Sequence, residues 1–201
     1  MKTPRQPRGE ARRRQVLEAT LRLLAREGPR GVTHRGVAEE AGTSARATTY
    51  YFASREELLT EALRHYAETA LARFERIATT DPAAREDPVG AAARMLADTV
   101  VSDLTEDRAG LVAEYELVLE AGRKPDELEA AYARWQAKLL DLLAAHAREL
   151  GSTRPHEHAR LVLATLRGLE IEALAHPTRH VDRDELCRIF RTLLRALIAN
   201  A

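Results

Sequence analysis

Histidine, cysteine and carboxylate clusters are the groups from which a catalytic or metal site would be built. His156 and His158 are separated by one residue in a segment with helical periodicity, so their side chains point about 200° apart and cannot share a metal ion. The other histidines show no metal-ligand spacing, and the sequence has no HExxH, glycine-rich phosphate loop or nucleophile motif. We therefore expect no catalysis, no metal and no cofactor.

The segment TSARATTYYFASREEL, residues 43 to 58, carries another kind of chemistry. Arg46 stands among small side chains, and three of the nine aromatic residues of the chain follow side by side. A guanidinium can donate two hydrogen bonds to the O6 and N7 atoms of guanine when small neighbours let the backbone approach. The segment therefore indicates nucleic-acid recognition, provided that helices present it to the duplex.

The net charge of the chain is zero, but the charge is unevenly distributed. Residues 1–55 contain 12 Lys and Arg against 5 Asp and Glu, so the remaining residues are acidic overall. The basic end favours a polyanionic partner, although a charge-rich helical protein can also be uneven by chance or for solubility. No apolar run approaches the roughly 18 residues of a membrane span, and no secretory signal is present. We expect a cytoplasmic protein without membrane contact.

The composition favours helix nearly throughout. Arg, Ala, Leu and Glu dominate, and no β-branched run alternates with period two, so the predicted fold class is all-α. Residues 1–9 contain two prolines and predict a flexible basic arm. The first helix is expected over about residues 10–27, ended by Gly28. Its apolar face consists of Val16, Leu17, Thr20, Leu21 and Leu24.

Capping residues mark the next three helices. Thr33 can cap a second helix, and Ser44, after a glycine turn, can cap a third over residues 45–52. Ser54 and Glu57 form the Ser-x-x-Glu pattern that opens a fourth, long helix. Two short helices joined through a glycine turn suggest a helix-turn-helix, whose second helix lays its N-terminal part in the major groove.

Proline and glycine divide the rest of the chain into five further helices with apolar stripes. We expect these helices at about 89–104, 109–121, 126–150, 156–175 and 184–199.

From residue 12 to residue 63, RRRQVLEATLRLLAREGPRGVTHRGVAEEAGTSARATTYYFASREELLTEAL closely resembles the DNA-binding domain of TetR-family transcriptional regulators. The resemblance implies a helix-turn-helix DNA-binding domain over residues 10–55. It also implies a helical regulatory domain over residues 56–201, which binds a small molecule and dimerises.

The resemblance further implies roles for individual positions. Those expected to contact double-stranded DNA are Thr33, His34, Arg35, Ser44, Ala45, Arg46, Ala47, Thr49, Tyr50, Tyr51 and Arg55. Among them Arg46 is expected to read a base, while the other arginines and the two tyrosines hold phosphates. Phe52 is expected to fill the core of the three-helix domain.

Several alternatives stay open for these residues. Arg46 can contact phosphate instead of a base, and either tyrosine can pack against the first helix. Lys2 and Arg5 can belong to a solvated tail instead of adding phosphate or minor-groove contacts.

The resemblance also implies a small-molecule pocket inside the helical bundle of the second half, which we expect to bind a largely apolar effector. Its expected lining is Met95, Thr99, Tyr115, Leu119, Trp135, Leu139 and Glu170. Glu170 interrupts an apolar face, and a buried carboxylate needs a partner. That partner is either an arginine, with Arg167 and Arg160 as candidates, or a polar or cationic group of the effector itself.

The helix expected over residues 156–175 is apolar on two sides, and both sides must be covered. Its small-residue side and the last helix are expected to form an isologous four-helix interface in a homodimer. The residues assigned to this interface are Leu161, Ala164, Gly168, Ile171, Ala175, Phe190, Leu193, Leu194 and Leu197. Alternatively, the last helix alone covers the second side within one chain.

These patterns together predict a ligand-responsive, sequence-specific DNA-binding regulator. Its expected action is that of a homodimeric repressor, which a small molecule releases from a pseudo-palindromic operator. The alternative is an architectural DNA-binding protein without an effector. A hollow in the helical bundle would favour the regulator, and a fully packed bundle would favour the alternative.

Overall fold

The computed structural model describes residues 7–78, 85–123 and 127–199. Within these ranges the chain forms nine α-helices and no strand, which confirms the all-α class. They are α1 (Pro7–Gly31), α2 (His34–Glu40), α3 (Ala45–Tyr51), α4 (Arg55–Ala78), α5 (Pro88–Thr105), α6 (Arg108–Arg123), α7 (Glu127–Glu149), α8 (Pro155–Ala175) and α9 (Arg183–Ala199). None of these helices has a stretch long and apolar enough to cross a membrane.

The helix boundaries follow the predicted ones closely. Helices α5 to α9 begin and end within two residues of the expected positions. Helix α1 begins earlier than expected, at Pro7, so the last three residues of the predicted arm are helical. The other six, with Lys2 and Arg5, lie outside the described residues. Gly28 interrupts α1 with a φ of 68°, a left-handed conformation that glycine adopts without strain.

The contacts divide the chain into two compact units. The first unit consists of Met1–Thr69 and Ala109–Trp135, and the second of Ala70–Arg108 and Gln136–Ala201. Helices α4 and α7 each continue from one unit into the other. The sequence places a domain boundary after residue 55, whereas the first unit also takes in most of α4 and α6. The functional division at that residue stays a prediction.

The core of the first unit forms around the apolar face of α1. All five residues predicted on that face are buried. Phe52 is completely buried, as are Leu58 and Leu63 of α4, and Tyr66 is only 2% exposed. Burying side chains of this size contributes about 1.5–3 kcal/mol each. The predicted core position of Phe52 is therefore confirmed.

In the second unit, α5 packs against α8 and α9, and these two helices also contact each other. Helix α9 turns Leu186, Phe190 and Leu194 inward, with the spacing of four residues that places side chains on one helix face. Asp87 caps α5 by accepting a hydrogen bond of 2.9 Å from the backbone of Gly90. Arg191 of α9 donates to the same carboxylate at 3.0 Å, which ties α9 to the start of α5.

Candidate functional sites

The helix-turn-helix is assembled by local hydrogen bonds at its helix starts. The hydroxyl of Thr33 accepts from the backbone of Gly36 at 3.0 Å, and that of Ser44 accepts from the backbone of Ala47 at 3.2 Å. Gly42 adopts a φ of 59° in the turn between α2 and α3. These bonds confirm both predicted caps and fix where α2 and α3 begin.

Thr48 joins the two short helices and was missed by the sequence analysis. Its side chain is fully buried, and its hydroxyl lies 3.1 Å from the carbonyl oxygen of His34 and 2.8 Å from that of Ala45. A hydroxyl in this position can donate to either carbonyl. The hydroxyl therefore sets the placement of α3 against the first turn of α2.

Helix α1 holds the end of α2 through polar contacts. Gln15 donates to the backbone carbonyl of Ala41 at 2.7 Å. Arg22 and Arg26 donate to the carboxylate of Glu40 at 2.8 and 3.0 Å. The hydrogen bond from Arg22, followed by that from Arg26, holds the pKa of Glu40 below its usual range. These contacts position α2 and, through Thr48, also α3.

One face of α3 is open to solvent. Ala45, Arg46, Thr49 and Tyr50 are exposed, and Tyr50 retains 80% of its accessible surface. Their spacing places them on one side of the helix, opposite the buried Thr48. Within the described ranges Arg46 has no hydrogen-bond or ion-pair partner, so its five N–H donors remain available. Helix α3 contains no acidic residue that could repel a phosphate.

The start of α2 adds a second exposed cation. The side chain of Arg35 is 85% exposed and forms a 3.0 Å ion pair with Glu39, which is also exposed. Exposed pairs at this spacing contribute only about 0.3–0.5 kcal/mol, so exchange of Glu39 for a phosphate costs little. His34 beside it is half-buried, and its Nδ1 atom finds no hydrogen-bond partner among the described residues.

The two tyrosines of α3 have different surroundings. The Tyr51 ring is half-buried and meets the ring of Tyr50 edge-on, with centroids 5.2 Å apart. A side-chain carbon added at Gly9 would lie 3.9 Å from the Tyr51 hydroxyl oxygen. Tyr51 thus packs beside α1, the arrangement that the sequence analysis left open as an alternative. Tyr50 points outward.

Arg55 has a different environment from the one predicted. Its guanidinium donates to the backbone carbonyls of Pro29 and Val32, the latter at 3.2 Å, and 28% of its side chain is exposed. Arg55 therefore satisfies carbonyls at the end of α1 and holds the start of α4 against them. A phosphate contact would require these hydrogen bonds to break.

The predicted effector residues divide between the two units. Met95, Thr99, Leu139 and Glu170 lie in the second unit; Tyr115, Leu119 and Trp135 lie in the first. Met95, Thr99, Trp135 and Glu170 are buried, and Tyr115 and Leu139 are partly buried. Leu119 is 57% exposed, so within one chain its side chain does not face an enclosed pocket as expected.

Trp135 has a buried carboxylate beside it that the sequence analysis missed. Its indole nitrogen donates to Oε1 of Glu114 at 3.0 Å, and the two side chains are 6% and 7% exposed. A carboxylate next to an aromatic ring is a combination that suits a cationic ligand. Glu114 stands one residue from the predicted Tyr115, on the apolar stripe of α6 that contains Leu111 and Leu117.

A cleft in the second unit was also absent from the sequence predictions. It encloses about 540 Å³, including space open to solvent, between α5, α8, the 179–182 segment and α9. Val100, Leu169 and Leu186 belong to its apolar lining, and Glu172 and Arg179 pair at 3.1 Å on its wall. None of the predicted effector residues lines this cleft.

Glu170 has a partner of unexpected chemistry. Its carboxyl is 3% exposed and lies near that of Asp103 on α5, whose pKa is raised by burial and lowered by the neighbouring Arg73 and Glu170. Asp103 in turn accepts from Nε of Arg73 at 2.9 Å. Glu170 also makes further interactions, so an arginine or an effector as its partner stays a prediction.

The surface assigned to dimerisation is partly present. Leu161 and Ile171 on α8 are 44% and 52% exposed, and a side chain added at Gly168 would meet nothing within 4 Å. Ala164 and Ala175 are exposed on the same helix, while Leu193 and Leu197 of α9 are partly buried. Phe190 and Leu194 are 0% and 6% exposed within one chain. Within one chain they pack inside the second unit, and their contribution to the interface stays a prediction.

Comparison with known proteins bears on both halves of the chain. Residues 16–62 match the family described as bacterial regulatory proteins, tetR family. Residues 87–200 match the family described as tetracyclin repressor-like, C-terminal domain. The second match alone spans more than half of the chain.

Three individual proteins illustrate the similarity. A TetR-family member from Streptomyces coelicolor A3 is 32% identical, with a TM-score of 0.69, and the match covers 90% of this chain and 97% of that one. The multidrug binding protein EbrR, solved in complex with ethidium, is 32% identical with a TM-score of 0.65, covering 90% and 98%. The nicotine-responsive transcriptional repressor HdnoR from Paenarthrobacter nicotinovorans is 25% identical, covering 85% and 89%.

Proposed function

Because the chain belongs to the TetR family of transcriptional regulators, we propose that it binds a pseudo-palindromic operator as a homodimer and represses transcription until a small molecule releases it. The observation that carries this proposal is the exposed face of α3. Caps and buried hydrogen bonds hold this helix in place, and Arg46 stands on it without a partner among the described residues. Such a rigid, exposed arginine suits the major groove.

The roles within the interface follow from exposure and pairing. Arg46 reads a base, with Ala45 beside it small enough to let the helix approach the duplex. Arg35, whose side chain is 85% exposed, and Tyr50, which is 80% exposed, hold phosphates and orient the domain. Tyr51 and Arg55 support these contacts from within the domain, through α1 and the start of α4.

The DNA part of the proposal is tested by selecting bound duplexes from a random pool and then measuring variants on the recovered sequence. Arg46→Ala should cost about 1–3 kcal/mol on the operator and relax preference at one base pair in each half-site. Arg134→Ala, an exposed arginine on α7, is the matched control and should change neither value. Equal losses for Arg46→Ala on operator and random DNA would show that this arginine contacts only phosphate.

We further propose that the effector is a largely apolar, nitrogen-containing compound that carries positive charge. Support comes from the names of two relatives, one complexed with ethidium and one responsive to nicotine. Buried Trp135, with the carboxylate of Glu114 at its indole nitrogen, supplies an aromatic wall and negative charge for such a compound. Tyr115, which lies in the same unit, is a further proposed contact.

Trp135 is the single tryptophan of the chain and reports on this site directly. Nicotine and ethidium should be titrated while tryptophan emission and release from the operator are followed together. An effector of the proposed class changes both signals at the same concentration. Release of operator without a change in Trp135 emission would move the effector site elsewhere. If a wider panel of such amines causes no release, the architectural DNA-binding alternative is favoured.

A further inference from the structure

The cleft of the second unit has an apolar lining that the chain leaves partly uncovered. Val100 of α5 is fully buried, whereas Leu169 and Ala173 of α8 and Ile189 of α9 are only half-buried. All four line the same space of about 540 Å³, part of which is open to solvent. Small-molecule sites are concave, largely apolar and about 300–1,000 Å³ in volume. The cleft can therefore take the apolar body of a small ligand.

Contacts within the unit hold the walls of the cleft in place. Helix α5 packs against α8 and α9, and those two helices contact each other. Between α8 and α9, the backbone N–H of Arg179 donates to the carbonyl of His176 at 2.9 Å, and its guanidinium donates to Glu172 at 3.1 Å. Asp182 caps α9 by accepting from two backbone N–H groups, at 2.9 and 3.2 Å. A ligand would meet a preformed cleft, so little ordering cost opposes binding.

The charged groups around the cleft differ in how they are paired. The carboxylate of Glu172 is held by Arg179, and that of Asp182 by the backbone of α9. Glu185, in the first turn of α9, lines the cleft with an exposed side chain, and in the described ranges its carboxylate has neither a hydrogen bond nor an ion pair. His180 also lines the cleft and is exposed. Glu185 is therefore the carboxylate that a ligand can engage without breaking an existing contact.

We propose that this cleft is a second small-molecule site, which binds an organic ammonium ion with a compact apolar body. The apolar body covers the half-buried side chains of α8 and α9, and the ammonium group donates to the carboxylate of Glu185. None of the residues predicted for the effector site lines the cleft, so the two sites share no residue. The occupant contacts α5, α8 and α9 together and thereby strengthens their packing.

Two other occupants fit the cleft less well. An anion would have to compete with Glu172 for the guanidinium of Arg179. A second copy of the chain would approach another side of α8, because Ile171 of the proposed interface lies about 200° around the helix from both Leu169 and Ala173. The side of α8 that lines the cleft thus stays available to a small molecule.

The test compares three probes with the same apolar body and different charge: phenylbutylamine, phenylbutanol and phenylbutyrate. Each is titrated into the full chain at neutral pH while the backbone amide signals are followed by NMR. The amine should cause saturable shifts at Leu169, Ala173 and Ile189. It should bind about two- to fivefold more tightly than the alcohol, as expected for a partly exposed charge pair, and the carboxylate should bind most weakly.

Substitutions around the cleft identify the groups that hold the amine. Glu185→Gln should remove the preference for amine over alcohol and leave alcohol binding unchanged, because glutamine keeps the shape without the charge. Asp184→Asn is the matched control, an exposed neighbour in the same turn that does not line the cleft, and should bind like the parent. Ala173→Leu fills the cleft and should abolish the shifts. If it fails to fold, Glu185→Gln and its control still decide, because both positions are exposed.

Four results would overturn the proposal. Shifts confined to the surroundings of Trp135 would show that the amine binds only the proposed effector site. Equal binding of amine and alcohol by the parent, or tighter binding of the carboxylate, would contradict the role of Glu185. Cleft signals that move with protein concentration before any probe is added would show that a second copy of the chain covers the cleft. The experiment uses no DNA, so failure of the proposed operator binding would leave its result unaffected.

Discussion

The variant Arg55→Ala tests whether Arg55 supports the fold or contacts DNA. In the structure its guanidinium donates to the carbonyl oxygens of Pro29, in the last turn of α1, and of Val32, just after that helix; the Pro29 oxygen also accepts from the backbone N–H of Val32 at 3.2 Å. Truncation to alanine removes both hydrogen bonds. The variant should therefore lose stability. Helix α2, which begins two residues after Val32, should also be held less firmly.

The magnitude can be worked out from these two contacts. A hydrogen bond from a charged donor contributes about 1.5–3 kcal/mol, and water can replace part of that because 28% of the Arg55 side chain is exposed. We therefore expect a total loss of about 2–3 kcal/mol. For a chain of this length each kcal/mol lowers the melting temperature by about 2–4 °C, which gives a decrease of about 4–12 °C.

The assay pairs thermal unfolding with operator binding over a range of salt concentrations, at a temperature where every variant is folded. Arg55→Ala should melt earlier but keep the parent's salt dependence, because no phosphate contact is lost. Arg46→Ala should keep the parent's melting temperature but bind the operator more weakly, because a base contact is lost. Arg55→Lys should lie between parent and alanine, since one ammonium cannot reproduce the planar fork of a guanidinium.

The opposite result for Arg55→Ala would refute this reasoning. If its melting temperature equals that of the parent and the slope of log K against log salt falls by about 0.9 for each lost contact, Arg55 contacts phosphate in the complex. The hydrogen bonds to the end of α1 would then be exchanged for DNA contacts on binding.

Three further predictions concern other contacts. Thr48→Val removes the hydroxyl that can donate to the carbonyl of His34 or of Ala45. The variant should lose about 1–2 kcal/mol of stability in urea unfolding, and its ratio of operator to random DNA affinity should fall. An unchanged ratio would contradict the role of Thr48 in placing α3. The hydrogen bond from Arg22 lowers the pKa of Glu40. The parent should therefore be more stable than Glu40→Gln above about pH 5, and this difference in melting temperature should shrink at lower pH. A difference that grows in acid would contradict the pairing. Replacing Gly168 and Ile171 by Arg should give a folded monomer with poor operator binding, and an unchanged dimer mass in light scattering would refute the α8 interface.

The starts of α2, α3 and α4 are determined by the sequence alone. Thr33, Ser44 and Ser54 accept hydrogen bonds from backbone groups three residues ahead, and Gly28 and Gly42 supply the left-handed φ angles that end or turn a helix. Such interactions need no knowledge of the tertiary fold, because both partners lie within one helical turn. The apolar face of α1 is equally local, since a period of 3.6 residues places its side chains together.

Only the tertiary structure shows which neighbouring helix covers each apolar face. Helix α9 has two neighbouring apolar stripes, one through Phe190 and Leu194 and one through Leu193 and Leu197. Only the packing against α5 shows that the first stripe is buried within the chain. Helical periodicity identifies both stripes but carries no information about which neighbour covers each of them. The sequence therefore identified α9 correctly, but only the structure shows that Phe190 and Leu194 are buried within one chain.

The partners of the long polar side chains were likewise set by packing. Arg55 reaches carbonyls 23 and 26 residues earlier in the chain, and Glu170 meets a carboxyl on α5. Since the chain contains 31 Lys and Arg, its composition favours an arginine as the partner of Glu170. The helix crossing that brings α8 against α5 determines which side chain stands opposite, and that crossing depends on side-chain volumes along both helices. The sequence located the buried carboxyl of Glu170, and only the tertiary structure revealed that Asp103, a second acid, is one of its neighbours.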